Sequence, residues 1–164
     1  PPVHKKDALF APLQMANYVA TLVNGGVCNK LHILKAVKSY DYSSTVFEAE
    51  PEELGRTELS EETVELIKEG MLAVSKEGSA ASIFGDYPID VGSKTGTAQT
   101  GNGSANGIFV AFAPYDDPEI AVAIVVEHAG KGSRIGVIAR DIFDTYFRID
   151  GSYEQILPEN TLVN

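Results

Sequence analysis

Residues 91–101, with the sequence VGSKTGTAQTG, concentrate side chains able to do chemistry: one Lys, three Thr, one Ser and three Gly. Glycine inside a strand marks a place where a ligand or another backbone approaches closely. Threonine hydroxyls and exposed backbone N–H groups hold a carboxylate or a developing oxyanion. The stretch therefore predicts a strand that binds an anion, with the cation of Lys94 fixed beside it.

Two common nucleotide-binding motifs do not fit this stretch. A phosphate-binding loop requires Gly directly before its Lys, but Ser93 precedes Lys94, and Pro88 stands where the first Gly belongs. A dinucleotide fingerprint fails because Gly101 and Gly103 are followed by Asn106. Two interpretations remain: a solvated edge strand whose Lys blunts aggregation, or the K-T-G strand of a serine acyltransferase.

Three segments together favour the second interpretation. They are SKTGTAQ at residues 93–99, APLQMANYVATLVNGG at residues 11–26, and Gly78-Ser79-Ala80, where Ser79 replaces the Thr of a "GTA" sequence. In order and spacing, the set resembles the transpeptidase domain of class B penicillin-binding proteins. The resemblance covers residues 8–147; residues 1–7 are interpreted as a leader or a remnant of cloning, and residues 148–164 as a C-terminal tail.

The resemblance implies roles for five residues of the K-T-G strand. Lys94 and Thr97 are the expected catalytic residues: Lys94 supplies positive charge and joins the proton network, and the Thr97 backbone N–H is one of two oxyanion donors. The expected substrate-binding residues are Ser93, Thr95, Gly96 and Thr97. The hydroxyls of Thr95 and Thr97 would hold the substrate carboxylate, and Gly96 leaves room for substrate along the strand.

The family's nucleophile lies in S-x-x-K, and this motif occurs nowhere in the sequence. Ser104-Ala105-Asn106 spells the family's S-x-N, but it follows K-T-G instead of preceding it, and is interpreted as part of a hairpin loop. We therefore expect a C-terminal fragment of a peptidoglycan D,D-transpeptidase, inactive alone, whose parent binds penicillin and cross-links stem peptides by serine acyl transfer. The alternative is a non-catalytic assembly module that pairs through an open sheet edge.

Composition limits the partners. The formal net charge of −10 argues against nucleic acid. Three His and the single Cys28 make no metal-ligand cluster, so neither a metal nor a cofactor is predicted. No apolar run reaches the ~18 residues of a membrane span, so no membrane contact of this chain is predicted. The resemblance implies as partners the peptidoglycan stem peptide and β-lactams. It also implies a place on the extracytoplasmic face of the cell membrane, with the parent anchored by an upstream segment.

The elements that must position the K-T-G strand indicate an α+β fold, an antiparallel sheet of three strands packed with helices. Apolar stripes and end signals predict helices at 12–24, from Ser60 to Gly78, and at 130–147. Runs of β-branched residues predict a meander of strands at residues 89–100, 108–113 and 119–127. The family's sheet has two further strands, so the resemblance implies that the last strand has an open edge, where we expect self-association or domain swapping.

Overall fold

The computed structural model describes residues 10–99 and 103–149. Predictions for residues 1–7, for residue 100 at the end of the first strand, for the loop residues 101 and 102 and for the tail from 150 onward lie outside these ranges. In chain order the elements are α1 Pro12–Val23, β1 Val27–Asn29, β2 Ala36–Lys38, β3 Thr45–Glu48, β4 Glu53–Arg56, α2 Glu61–Lys76, α3 Ala81–Phe84, β5 Gly92–Ala98, β6 Asn106–Ala113, β7 Ile120–Val126 and α4 Gly136–Phe147.

Strands β5, β6 and β7 form an antiparallel sheet in that order, which confirms the predicted meander. Lys94 of β5 pairs with Val110 of β6, and Ala111 of β6 pairs with Val122 of β7. Strand β6 lies in the centre and is almost wholly buried, because both of its faces are covered. The α+β class predicted from the sequence is thereby confirmed.

The two faces of the sheet carry separate apolar clusters. On one face, Phe109 packs with Phe84 of α3 and Phe143 of α4; the Phe84 ring centroid lies 6.2 Å from that of Phe109 and 6.1 Å from that of Phe143. On the other face, Val110 and Phe112 pack with Val19 and Leu22 of α1 and with Met71 of α2. The sheet is thus the middle layer between helices, an arrangement that buries both faces of an apolar strand.

Helix α2 runs beside β5. Its Met71 packs in the cluster with Phe112, and its Val74 packs against the cluster with Phe109. Helix α2 therefore contacts the apolar clusters on both faces of the sheet. Its beginning is set locally: the Ser60 hydroxyl accepts a hydrogen bond from the Thr63 N–H at 3.2 Å, as predicted for an N-cap. The first turn carries Glu61 and Glu62, which favour the positive end of the helix dipole.

The last helix begins later than the sequence predicts. Residues Gly132–Ile135 form a short 3₁₀ helix, and α4 starts only at Gly136. The physical reason is close packing: a side chain on Gly132 would overlap the carbonyl oxygens of Gly96 and Ile108, so this segment lies directly on the sheet backbone. The regular helix begins once the chain has passed that contact.

Between α1 and α2, residues 27–56 form a long two-stranded antiparallel segment, which we call the β-ribbon. Strand β1 pairs with β4 and β2 pairs with β3, both antiparallel. Its base is closed by a hydrogen bond from Thr57 N–H to the Gly26 carbonyl at 2.9 Å. The sequence does not predict this pairing, which joins residues as far apart in the chain as Val27 and Arg56.

Candidate active site

The predicted site residues lie on β5, which is buried at its start and exposed at its end. Gly92 and Ser93 are buried, Thr95 and Gly96 are partly buried, and Lys94 and Thr97 are exposed. Within the described sheet β5 is an edge strand, so one side of its backbone has no neighbouring strand. The sequence K-T-G-T therefore lies at a surface, on a strand whose first residues are anchored in the core.

Lys94 folds back along its own strand. Its Nζ donates a hydrogen bond to the Thr95 carbonyl oxygen at 2.6 Å. In the described ranges no carboxylate forms an ion pair with Lys94. The ammonium is therefore held near the strand backbone with its charge uncompensated by a protein anion, which suits it to attract an anionic ligand.

The hydroxyl of Thr95 faces the turn that follows α2. Its Oγ1 lies 3.0 Å from the Oγ of Ser79, and either atom is able to donate. In the sequence Ser79 is part of the Gly78-Ser79-Ala80 resemblance, which implies no role for it. The structure brings it into direct contact with a predicted substrate-binding residue.

Ser93 points away from the surface. Its hydroxyl and that of Ser75 on α2 lie 2.7 Å apart, and both side chains are 0% exposed. A second link joins Lys76 Nζ, at the end of α2, to a carboxylate oxygen of Asp90, two residues before β5, at 2.6 Å. The Ser93 hydroxyl is thus engaged in fixing β5 to α2, and its predicted substrate contact stays a prediction.

Ser75 supports the site strand from within, and sequence reasoning missed it. The available signal was its position four residues after Met71, on the inward stripe of α2, where a small polar residue is uncommon. A buried hydroxyl requires a hydrogen-bond partner. A serine on the inward face of α2 therefore predicts that some polar group contacts it. The sequence gave no indication that the partner is Ser93, 18 residues away.

Gly96 marks a close approach of two backbones, as glycine in a strand predicts. The 3₁₀ helix places Gly132 against the Gly96 peptide, where a methyl group would overlap the carbonyl oxygen. A side-chain carbon on Gly96 itself would lie 3.2 Å from Cβ of Ile108. Both glycines therefore serve packing here, and the room that Gly96 would leave for substrate remains a prediction.

The S-x-N match at residues 104–106 has a structural function away from Lys94. The Asn106 Oδ1 accepts a hydrogen bond from the His128 N–H at 3.1 Å, and the His128 Nδ1 lies 3.1 Å from the Ser104 carbonyl oxygen. His128 itself adopts a left-handed conformation with φ of 57° and is exposed. These contacts hold the β6–β7 end of the sheet; Asn106, interpreted from the sequence as part of a hairpin loop, is instead the first residue of β6 and pairs with Ala98.

The ionisable groups of residues 10–99 and 103–149 include some with shifted pKa values, among them Glu65 and Tyr115. Among the residues that the structure describes, no three His, Cys, Asp or Glu side chains are grouped so as to hold a metal ion. The hydrogen bond that Tyr115 donates lowers the pKa of the Glu65 carboxyl. The same hydrogen bond to Glu65 raises the pKa of the Tyr115 hydroxyl to about 12. Glu65 and Tyr115 belong to the packing of α2 on the sheet, on the side of the apolar cluster that contains Phe112.

Comparison with known proteins identifies this architecture. Over residues 9–144 the sequence matches the family described as the penicillin binding protein transpeptidase domain. It is 29% identical over 165 residues to penicillin-binding protein 2A of Bacillus subtilis, covering 89% of this chain and 23% of that protein. It is also 29% identical over 150 residues to the peptidoglycan D,D-transpeptidase MrdA of Escherichia coli K12, covering 81% of this chain and 23% of that protein.

Solved structures agree in fold. Penicillin-binding protein A of M. tuberculosis, as its imipenem acyl-enzyme complex, has a TM-score of 0.75 at 25% identity, over 87% of this chain and 32% of that one. Penicillin-binding protein 2B of Streptococcus pneumoniae strain R6 has a TM-score of 0.71 at 29% identity, over 85% of this chain and 25% of that one. The chain thus spans about a quarter of the length of its curated relatives. The family match, the relatives' names and the shared fold together show that the chain belongs to the penicillin-binding protein transpeptidase family, class B, which its sequence resembles.

Proposed function

We propose that residues 8–147 are the C-terminal part of the transpeptidase domain of a peptidoglycan D,D-transpeptidase, and that they supply its K-T-G strand to a nucleophile carried elsewhere in the full-length protein. The observation that carries the proposal is the placement of Lys94 to Thr97 at the exposed end of an edge strand that Ser75 and Gly132 anchor from within. The name of the E. coli relative supports the reaction class.

The proposed chemistry is acyl transfer in two steps. A serine hydroxyl attacks the carbonyl of the D-Ala-D-Ala bond; the C–N bond breaks, and the terminal D-Ala leaves after taking up a proton. An amine of a second stem peptide then attacks the ester and displaces the serine. Lys94 would lie near the substrate carboxylate and in the proton network, Thr95 and Thr97 would hold that carboxylate, and the Thr97 N–H would face the oxyanion.

A β-lactam would enter by the first of these steps, since its strained amide replaces the D-Ala-D-Ala bond; the imipenem acyl-enzyme of the M. tuberculosis relative supports this. The substrate would be a peptidoglycan stem peptide, and the place of action the extracytoplasmic face of the membrane. Among the described residues, no helix combines the length and apolarity needed to cross a bilayer.

Penicillin labelling of the full-length protein tests the assignment of Lys94. We expect Lys94→Ala to abolish the covalent adduct, since one preorganised electrostatic group is typically worth ~100- to 1000-fold in rate. Lys35→Ala, which removes an exposed lysine of the β-ribbon, is the matched control and should label normally. Near-normal labelling of Lys94→Ala would refute the role of Lys94.

Intact mass of this chain alone, after incubation with a penicillin, tests the missing nucleophile. No adduct is expected, because the sequence contains no S-x-x-K. A stable one-to-one adduct would show that a serine of this chain reacts and would overturn that part of the proposal.

A specific observation also favours the second candidate, an assembly module. Strand β7 has no neighbour on one side within the described sheet, and beside it α4 forms an apolar groove. The groove is lined by Ile120, Ile138, Ile142 and Tyr146 together with Asp141 and Thr145. An extended segment of another chain would add main-chain hydrogen bonds to β7 and apolar side chains to the groove.

Light scattering across a dilution series tests self-association at this edge. A dimer that dissociates on dilution is expected, and Ile142→Asp should weaken it by placing a charge in the groove, whereas Tyr42→Asp in the β-ribbon should not. A strict monomer at high concentration would exclude self-association and leave the fragment proposal unaffected.

A further inference from the structure

Two hydroxyl contacts join the end of α2 and the turn that follows it to β5. Ser75 meets Ser93 at 2.7 Å, and Ser79 meets Thr95 at 3.0 Å. Ser93 and Thr95 are two residues apart on β5, so their side chains lie on the same face of the strand, which meets α2 and the turn after it.

Ser79 is held by the backbone on both sides. The Gly78 N–H donates to the Ala73 carbonyl at 2.9 Å, and the Ala80 N–H donates to the Val74 carbonyl at 3.1 Å. The side chain of Ala80 is 0% exposed. The Ser79 hydroxyl is thus fixed toward Thr95 by its neighbours, although Ser79 itself lies at the surface.

The hydrogens available on the two hydroxyls decide which of them donates when Thr95 binds a carboxylate. Each hydroxyl has one hydrogen to donate and lone pairs to accept, whereas a carboxylate only accepts. For Thr95 to bind a carboxylate, its own hydrogen must point to the ligand. Ser79 must then be the donor to Thr95 Oγ1, an arrangement in which each hydrogen bond polarises and strengthens the next.

We propose that Ser79 is a positioning residue, which donates its hydrogen bond to Thr95 and so turns the Thr95 hydroxyl into a donor for a substrate carboxylate. The inference rests on the proposed function, because it assigns the carboxylate to Thr95. Ser79 would not touch substrate; its effect would pass through the orientation of Thr95 alone.

A matched pair of variants in the full-length protein tests this. Valine and threonine have nearly the same shape, and only threonine keeps the hydroxyl. We expect Ser79→Val to slow the second-order rate of acylation by benzylpenicillin about tenfold, the value of one hydrogen bond to a charged ligand or its immediate partner. Ser79→Thr should keep the wild-type rate, and the melting temperatures of the two variants should agree.

A double-mutant cycle adds a readout that a merely structural role would not produce. In a Thr95→Val background, Ser79→Val should cost little further rate, because the residue through which it acts is already gone. Equal rates for Ser79→Val and Ser79→Thr would overturn the inference while leaving the proposed function intact. A wild-type protein that penicillin does not acylate would overturn the proposed function and the inference with it.

Discussion

The molecule contains two antiparallel β-structures that differ in how far their side chains are buried. In the body, formed by β5–β7 and α1–α4, the central strand β6 is buried along most of its length. In the β-ribbon, every residue from 40 to 48 is exposed, including Phe47 with 49% and Val46 with 69% of its surface accessible. The two ladders of the body are continuous, whereas each ladder of the ribbon contains a register shift, and only the sheet of the body has helices on both faces.

This difference assigns the two regions different roles. A two-stranded ribbon without a covered face is marginally stable in water, whereas a sheet between helices is rigid enough to hold side chains in fixed geometry. The K-T-G strand belongs to the rigid region, next to β6 and fastened to α2. The same type of substitution should therefore reduce the free energy of unfolding more in the body than in the ribbon.

The largest contrast is expected for a phenylalanine pair. Phe109→Ala should reduce the free energy of unfolding by about 3–5 kcal/mol, since it leaves a cavity between Phe84 and the sheet. Phe47→Ala should change it by less than ~1 kcal/mol, because Phe47 is half exposed. Urea unfolding of both variants measures the difference. Equal losses would mean that the ribbon is packed in solution.

A glycine pair should give the next largest effect. Gly132→Ala forces the 3₁₀ helix away from the Gly96 peptide and should cost about 2 kcal/mol, a typical value for overpacking. Gly55→Ala in β4 meets open space and should be neutral or slightly stabilising. The same urea experiment applies, and a neutral Gly132→Ala would show that the sheet and the 3₁₀ helix are not in close contact.

A serine pair tests the buried link between α2 and β5. Ser75→Ala leaves the Ser93 hydroxyl buried without a partner and should cost about 1–3 kcal/mol. Removing both hydroxyls should cost less than the sum of the single changes, because the orphaned group is removed too. Ser44→Ala, at the exposed tip of the ribbon, should fall within ~0.5 kcal/mol of wild type. Additive costs would contradict the pairing.

The smallest effect concerns titration at the ribbon tip. The Ser39 hydroxyl, followed by the hydroxyl and N–H of Ser43, lowers the pKa of Asp41 to about 2. Because this folded-state pKa lies below the ordinary value near 3.9, the contribution to tip stability is present above about pH 4 and is lost as the pH falls through about 2. Ser39→Ala should raise the Asp41 pKa, measured from the carboxyl carbon shift by NMR; an unchanged pKa would show that the tip is not structured as described.

The body was largely predictable from the sequence because its signals are local. Ser60 and the acidic first turn specify the start of α2, and β-branched runs specify β6 and β7. The site residues are consecutive on one strand, so their proximity to one another required no knowledge of the fold. Their individual roles stay predictions.

What the sequence did not predict depends on contacts between distant residues. The alternation of apolar and polar residues in the ribbon is weak, and its register joins Val27 to Arg56. The partners of the site strand, Ser75 and Ser79, became recognisable only once α2 was placed beside β5. The late start of α4 likewise follows from one glycine contact, while the helical periodicity continues without interruption through it.

The hydrogen bond between Thr57 and Gly26 brings the two ends of the ribbon together, which affects how freely its length is able to vary among related proteins. The chain leaves the body at Gly26 and re-enters it at Thr57, and beyond this point Asn17 of α1 donates to the Asn29 carbonyl oxygen of β1, so the outer part of the ribbon is a loop between α1 and α2. The entropy of closing such a loop grows only logarithmically with its length, by about 0.6 kcal/mol for each doubling. Related proteins are therefore free to lengthen, shorten or replace this segment while the geometry of the K-T-G strand stays constant, and we expect length variation in the family to concentrate between Gly26 and Thr57.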